Sequence, residues 1–313
     1  MTDLIHIGLP KTASTSLQNF WKSNSNIDCY WNELSSLVNF VRSNVGSHQV
    51  GDFDLRKALK HEHKKNRVFT SEAFSTYVWG AGATVDDVVR ARFEFARAFY
   101  EVIPSAKILL FVRSPIDWIF SVYKQYIQEG GDRTLQNYLS YDHDFIHASL
   151  SIRNLVSIWG RFFNVDNIII APYELLVSDP RRLKSELLKR YGEGVAEFIP
   201  DEMSWHNRSI TDKELMLMRD VSRCFGVFEK YAEVSKLSIK NIKKDFLLHL
   251  RTELQRSGKV CDVIARCNNE PVFKINLSQE LIALIKNDFL DFLDEYDVGF
   301  FGMSASYKST LGM

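Results

Sequence analysis

The stretch LIHIGLPKTASTSLQ, Leu4 to Gln18, decides the fold. A short apolar run, Leu4 to Gly8, ends in a Gly-Leu-Pro turn, and Ser and Thr residues follow ahead of Leu17, Phe20 and Trp21. That order predicts a strand, a phosphate-sized loop and a helix. Backbone N–H groups at a helix start form a ready anion site, and a Lys set into the loop adds a mobile cation. Lys11 with the N–H groups of Thr12, Ala13, Ser14 and Thr15 is therefore the candidate cradle. An ordinary nucleotide-triphosphate loop needs Gly directly before its Lys, and Pro10 stands there instead.

Working outward, RVFTS (Arg67 to Ser71) predicts a second strand, preceded by a charged run, Lys60 to Lys65, that reads as a solvated face. From Asp86 the residues Val88, Val89, Phe95, Ala96, Phe99, Val102 and Ile103 recur at helical steps, and Pro104 stops the helix. KILLFV (Lys107 to Val112) has the continuous branched apolar pattern of a strand buried on both faces, with Arg113 at its carboxyl end. SPIDWIFSVYKQYI resumes helical spacing, with Ser114 placed to cap and Pro115 at the first helical position. A further helix is expected over Ile146 to Phe163 and a buried strand over NIIIAPY, Asn167 to Tyr173.

Such alternation predicts an α/β protein with a mostly parallel sheet covered on both faces. Beyond Pro180 periodic helical segments take over, at Asp212 to Phe225, near Lys240 to Arg256, and Ser278 to Tyr296. The last should bury one stripe of Leu281, Ile282, Ile285, Phe289, Leu293 and Tyr296. With no Pro/Gly/Ser-rich break, residues 1–313 are expected to form a single domain, with 1–180 as a nucleotide-binding α/β core and 181–313 as a helical C-terminal layer.

Lys plus Arg equals Asp plus Glu at 39 each, so no global field favours nucleic acid, and an anionic ligand must be held locally. The first residues lack a secretory signal pattern, and no stretch approaches the ~18 apolar residues of a membrane span. A cytoplasmic protein without an integral membrane segment is expected. Cys29, Cys224, Cys261 and Cys267 form no C-x-x-C pair, which argues against zinc and against a disulfide framework; four reduced, mostly packed thiols are expected. His143 and His147 have i, i+4 spacing but no evident third ligand, so no metal site is predicted.

In these segments the chain resembles the sulfotransferases that use 3′-phosphoadenosine-5′-phosphosulfate (PAPS), and in particular bacterial members akin to the carbohydrate sulfotransferases. Their phosphosulfate loop reads approximately P-K-[TS]-G-[TS]-[TS], which Pro10, Lys11, Thr12, Ser14 and Thr15 match. Ala13 replaces the usual Gly, so the loop is expected to hold a right-handed backbone there or to shift, since Ala tolerates positive φ poorly. Their second element, R-x-x-x-x-x-x-x-S, binds the 3′-phosphate, and Arg113 with Ser121 supplies it. IIIAPYELL resembles the segment whose Tyr lies near the adenine, which implies that role for Tyr173. WHNRSIT, Trp205 to Thr211, resembles a late loop that would let Arg208 close over the nucleotide.

The resemblance implies a P-loop NTPase-like three-layer fold, and a metal-independent enzyme that converts PAPS to adenosine 3′,5′-bisphosphate. Lys11 would stabilise the leaving oxygen. The base would be Glu72, at the carboxyl end of the second strand, because the carbohydrate enzymes place a Glu there and the small-molecule enzymes a His; His206 is the alternative. A Glu base points to a sugar or other small acceptor, including a membrane-borne glycolipid, with Phe74, Tyr77 and Trp79 placed to line the site. Sulfation of a hydroxyl is expected, and of an amine as the alternative. The competing readings are a nucleotide-binding kinase of similar architecture and a non-catalytic nucleotide-binding protein.

Overall fold

Runs of branched apolar residues pair best where both faces are covered, and such runs supply most of the sheet. In this computed structural model, residues 1–45, 55, 65–76, 84–203, 211–231, 236–256, 277–296 and 307 are described. The first half contains β1 (Asp3–His6), α1 (Ser14–Ser23), β2 (Ile27–Tyr30), α2 (Ser35–Val45), β3 (Asn66–Thr70), the single turn α3 (Ala73–Thr76), α4 (Val85–Tyr100) and β4 (Lys107–Val112). Then follow α5 (Pro115–Gln128), α6 (Leu135–Tyr141), α7 (His143–Leu150), α8 (Ile152–Phe163), β5 (Ile168–Pro172), α9 (Tyr173–Ser178), α10 (Pro180–Tyr191) and α11 (Glu193–Ala196). The later part is helical: α12 (Asp212–Tyr231), α13 (Lys236–Arg256), and a run made of α14 (Gln279–Leu284), a π-helical turn (Ile285–Leu290) and α15 (Asp291–Glu295).

The five strands run parallel in the order β2-β3-β1-β4-β5. All of β5, and β4 after Lys107, is buried. Because successive side chains point to opposite faces, helices must cover both. The register sets His6 opposite Thr70 on one side and Leu109 on the other, which aligns the carboxyl ends of β1, β3 and β4. Helix α4 starts where the side chains of Thr84 and Asp87 cap each other's backbone, and packs on α8.

The chain divides into two compact units. One comprises Met1–Asp117, Asp144–Ser204 and Ser278–Met313 and contains the sheet. The other comprises Trp118–His143 and Trp205–Leu277. Within this second unit α12 packs on α13, Lys124 pairs with Asp212 at 2.9 Å, and the Arg223 guanidinium donates to the Asp132 carbonyl at 2.9 Å.

Two local expectations are corrected. The helix expected over 146–163 is two helices, because Ser151 leaves helical geometry at ψ 71° and donates its hydroxyl to Asp288 at 2.8 Å. The final stripe holds at Leu281, Ile285, Phe289 and Leu293, which are buried, but not at Ile282, which is 38% exposed; Leu284 and Leu290 are buried beside it. Of the thiols, Cys29 is half-buried, with its pKa pushed up to about 11 by burial, and Cys224 is exposed; Cys261 and Cys267 lie outside the described residues.

Candidate active site

The loop after β1 turns sharply enough to need two left-handed residues, Lys11 at φ 66° and Ala13 at φ 64°. The right-handed backbone expected for Ala13 is therefore not what forms. Ala13 takes the glycine-like conformation, a cost of about 1–2 kcal/mol for a residue with a Cβ. Its neighbours impose it: the Ala13 carbonyl accepts from Leu17 N–H at 3.0 Å, opening α1, and the Thr12 hydroxyl, fully buried, donates back to the Leu9 carbonyl at 2.6 Å. Ala13 has no side-chain oxygen, so the first N–H groups of α1 receive no side-chain cap. Those donors are left facing the loop, as an anion site requires.

Of the loop hydroxyls, Thr12 is committed inside the loop and Thr15 is exposed. Ser14 is 4% exposed, and its Oγ has no hydrogen-bond partner. An orphaned buried hydroxyl beside uncapped N–H groups fits a phosphate or sulfate oxygen as its missing partner.

Parallel pairing brings the other strand ends beside this loop. The Ser75 hydroxyl, in α3, donates to the Gly8 carbonyl at 2.8 Å, which ties the segment carrying Glu72 to the start of the loop. Glu72 is half-buried in the turn after β3, and its carbonyl accepts from the Ser75 and Thr76 N–H groups at 3.2 and 3.3 Å. Phe74 is fully buried against Phe95 and Phe99, so it belongs to the core and does not line a sugar site. Tyr77 and Trp79 lie outside the described residues.

Arg113 follows β4 and reaches the same loop, where its guanidinium donates to the Lys11 carbonyl at 3.1 Å. It also lies over the Tyr173 ring, 4.7 Å from the centroid. Burial raises the Tyr173 phenol above its usual range, and the Arg113 charge pulls it part of the way back. Lys11, Arg113 and Tyr173 are thus brought together; Ser121 is half-buried on α5. Arg208 and His206 lie outside the described residues.

Glu174, which the sequence left open as a structural residue, is joined as a support by two residues that escaped sequence reading, Tyr307 and Arg92. Glu174 accepts from the Ser114 N–H at 2.9 Å and from the Tyr307 hydroxyl, which also donates to the Val112 carbonyl at 3.4 Å. Burial raises the Tyr307 phenol well above its usual range, so it stays a donor. Arg92 is 1% exposed and donates to three neutral acceptors: Ser75 O at 2.7 Å, Ala148 O at 2.6 Å and Asn154 Oδ1 at 3.0 Å. Its place on the apolar stripe of α4, between Val88 and Phe95, was a signal available in the sequence. Tyr307 offered none.

Residues 4–197 match the family described as "Sulfotransferase family". The chain belongs to the sulfotransferase family. The matched span contains Lys11, Glu72, Arg113, Ser121 and Tyr173, and ends before Arg208. Among solved structures, a sulfotransferase from Alicyclobacillus acidocaldarius aligns with a TM-score of 0.47 and 14% identity, over 80% of this chain and 96% of that one. No curated protein sequence matches the chain. Among the described residues of this sulfotransferase-family chain, no three His, Cys, Asp or Glu side chains gather as metal ligands. No described helix is long and apolar enough to cross a membrane.

Proposed function

We propose that this member of the family transfers a sulfuryl group from PAPS to a hydroxyl of a carbohydrate or glycolipid acceptor, and that it adopts the P-loop NTPase-like architecture to do so. The observation that carries this reading is the Arg113 bond to the Lys11 carbonyl, which sets a fixed cation beside a loop with uncapped N–H groups and a buried, unpartnered Ser14 hydroxyl. Two phosphate groups on one nucleotide would be met by two such positive regions, which suits the 5′ and 3′ groups of PAPS.

PAPS supplies an activated sulfur joined to phosphate through a bridging oxygen. Glu72 takes the acceptor hydroxyl's proton, and the acceptor oxygen bonds to sulfur as the bond from sulfur to the bridging oxygen breaks. The electron pair of that bond leaves with adenosine 3′,5′-bisphosphate. Lys11 stabilises this growing charge, a contribution made chiefly in the transition state. The Ser14 hydroxyl and the N–H groups of α1 hold the 5′ side, Arg113 holds the 3′-phosphate, and Tyr173 flanks the adenine. Positioning rather than covalent participation supplies most of the rate.

The test is transfer of labelled sulfate from PAPS to a panel of sugar, glycolipid and amine acceptors, alongside thermal shifts with adenosine 3′,5′-bisphosphate, AMP and ATP. Transfer to a sugar hydroxyl with preferential stabilisation by the bisphosphate supports the reading. Equal stabilisation by ATP and the bisphosphate would contradict it.

A further inference from the structure

Behind the loop lies a row of buried polar side chains that no step above employs. His6, the last residue of β1, and Thr70, its neighbour on β3, are both fully buried; Gln18 is 6% exposed. The Thr70 hydroxyl lies 2.9 Å from His6 Nδ1 and accepts from Gln18 Nε2 at 3.3 Å. At the other side of the ring, His6 Nε2 has no hydrogen-bond partner, and neither has Ser14 Oγ. The two orphans close on one point: a Cβ added to Gly8 would sit 2.7 Å from Nε2 and 3.1 Å from Oγ. Gly8 is what leaves room for them to face each other.

Hydrogen-bond inventory orients the row. Gln18 approaches Thr70 as a donor, so the acceptor available to the Thr70 hydroxyl proton is His6 Nδ1. Burial among Trp21 and Phe111 pushes the His6 pKa down to about 3, which keeps the ring neutral. A neutral imidazole that accepts at Nδ1 carries its proton at Nε2. That N–H and the Ser14 hydroxyl flank the same space at Gly8, where Ser14 needs a donor if its own proton is to point outward into the loop.

We propose that His6 is a positioning residue for donor binding: its Nε2–H donates to Ser14 Oγ when the Ser14 hydroxyl donates to an anionic oxygen in the loop. Gln18, Thr70, His6 and Ser14 then form one directed relay ending on the 5′ side of PAPS. The relay rests on the PAPS reading, whereas the His6 tautomer does not. Aligned donors of this kind polarise one another, so the last one binds an anion more strongly than a lone hydroxyl does.

Long-range ¹H–¹⁵N spectra of the full chain, with His6 assigned through His6→Gln, read the tautomer directly. The expected result is a neutral, Nε2-protonated His6 between about pH 5 and 8, whose Nε2–H resonance moves downfield with adenosine 3′,5′-bisphosphate in the wild type and stays in place in Ser14→Ala. In turnover, Thr70→Val should raise the KM for PAPS roughly tenfold, the worth of about one hydrogen bond, with kcat little changed, and Thr70→Ser should restore it. A purely structural role would not produce that split. An Nδ1-protonated or charged His6 overturns the proposal. So does an Nε2–H that stays still while the backbone amides of residues 12–16 shift with the bisphosphate. If those amides do not respond and His6 is still Nε2-protonated, the PAPS reading and the relay's end point fall, and the tautomer stands.

Discussion

The guanidinium of Arg113, at the end of β4, donates to the main-chain carbonyl of Lys11, in the loop after β1, at 3.1 Å. One strand end thereby braces the backbone of another's loop. The same guanidinium rests on Tyr173, so its orientation is held from two sides. Arg113→Met should remove both constraints and the 3′-phosphate's counter-charge. Thermal-shift titrations are expected to show wild type stabilised by adenosine 3′,5′-bisphosphate, by about 2.7 kcal/mol at a hundredfold excess over Kd, and far less by AMP. In Arg113→Met the two nucleotides should become nearly equal.

Glu72→Gln keeps shape and hydrogen bonding while losing basicity. Single-turnover transfer to a hydroxyl acceptor is expected to fall by roughly two to four powers of ten, with bisphosphate affinity unchanged. Full activity would hand the base role to another group, and His206→Asn is the companion variant for that outcome.

Ala13→Gly should stabilise the protein. A left-handed Ala costs about 1–2 kcal/mol, partly offset by the greater unfolded-state freedom of Gly, which leaves a net gain of about 0.5–1 kcal/mol in urea unfolding. Bisphosphate affinity should be kept, since the backbone path is the same.

His6 gives stability a pH slope. Its folded pKa, about 3, lies below the unfolded value of 6.5, so between these limits the unfolded chain binds a proton that the folded chain does not. The contribution is fully present above about pH 6.5 and is lost as pH falls toward 3, at about 1.4 kcal/mol per pH unit. His6→Gln should flatten this part of the slope, as measured by chemical denaturation between pH 7 and pH 4.5.

Arg92→Met should be among the more destabilising single changes. It leaves Ser75 O, Ala148 O and Asn154 Oδ1 without their donor, at about 1–3 kcal/mol each. Because the Ser75 hydroxyl also holds Gly8, bisphosphate binding should weaken at temperatures where the variant is still folded.

Strands with uniform surroundings were readable from sequence, and β4 spans the same residues, Lys107–Val112, that its apolar run marked. β2 was not, because Asp28, Cys29 and Tyr30 are only half-buried at the sheet edge and carry no alternation. Loop position followed from residue order, but loop conformation did not. Ala13 adopts a backbone that its side chain disfavours, because bonds made by its neighbours outweigh local preference. The break at Ser151 depends on Asp288, 137 residues away, and no local window contains both. The polar row behind the loop was hidden for the same reason: His6, Gln18 and Thr70 become neighbours only when β1, α1 and β3 are assembled.

Tyr307 carries a consequence for synthesis. β4 and β5 are complete once residue 172 has been made, yet the hydroxyl that bonds both the Val112 carbonyl and the Glu174 carboxylate belongs to a residue 195 positions after Val112. While the chain is still emerging from the ribosome, that carboxylate has no phenol to receive, and its hold on Ser114 at the head of α5 is left with one support fewer. The carboxyl end of the sheet beside the loop therefore gains this support only after residue 307 has been made, and a nascent chain halted before residue 307 carries the loop without the clasp behind it.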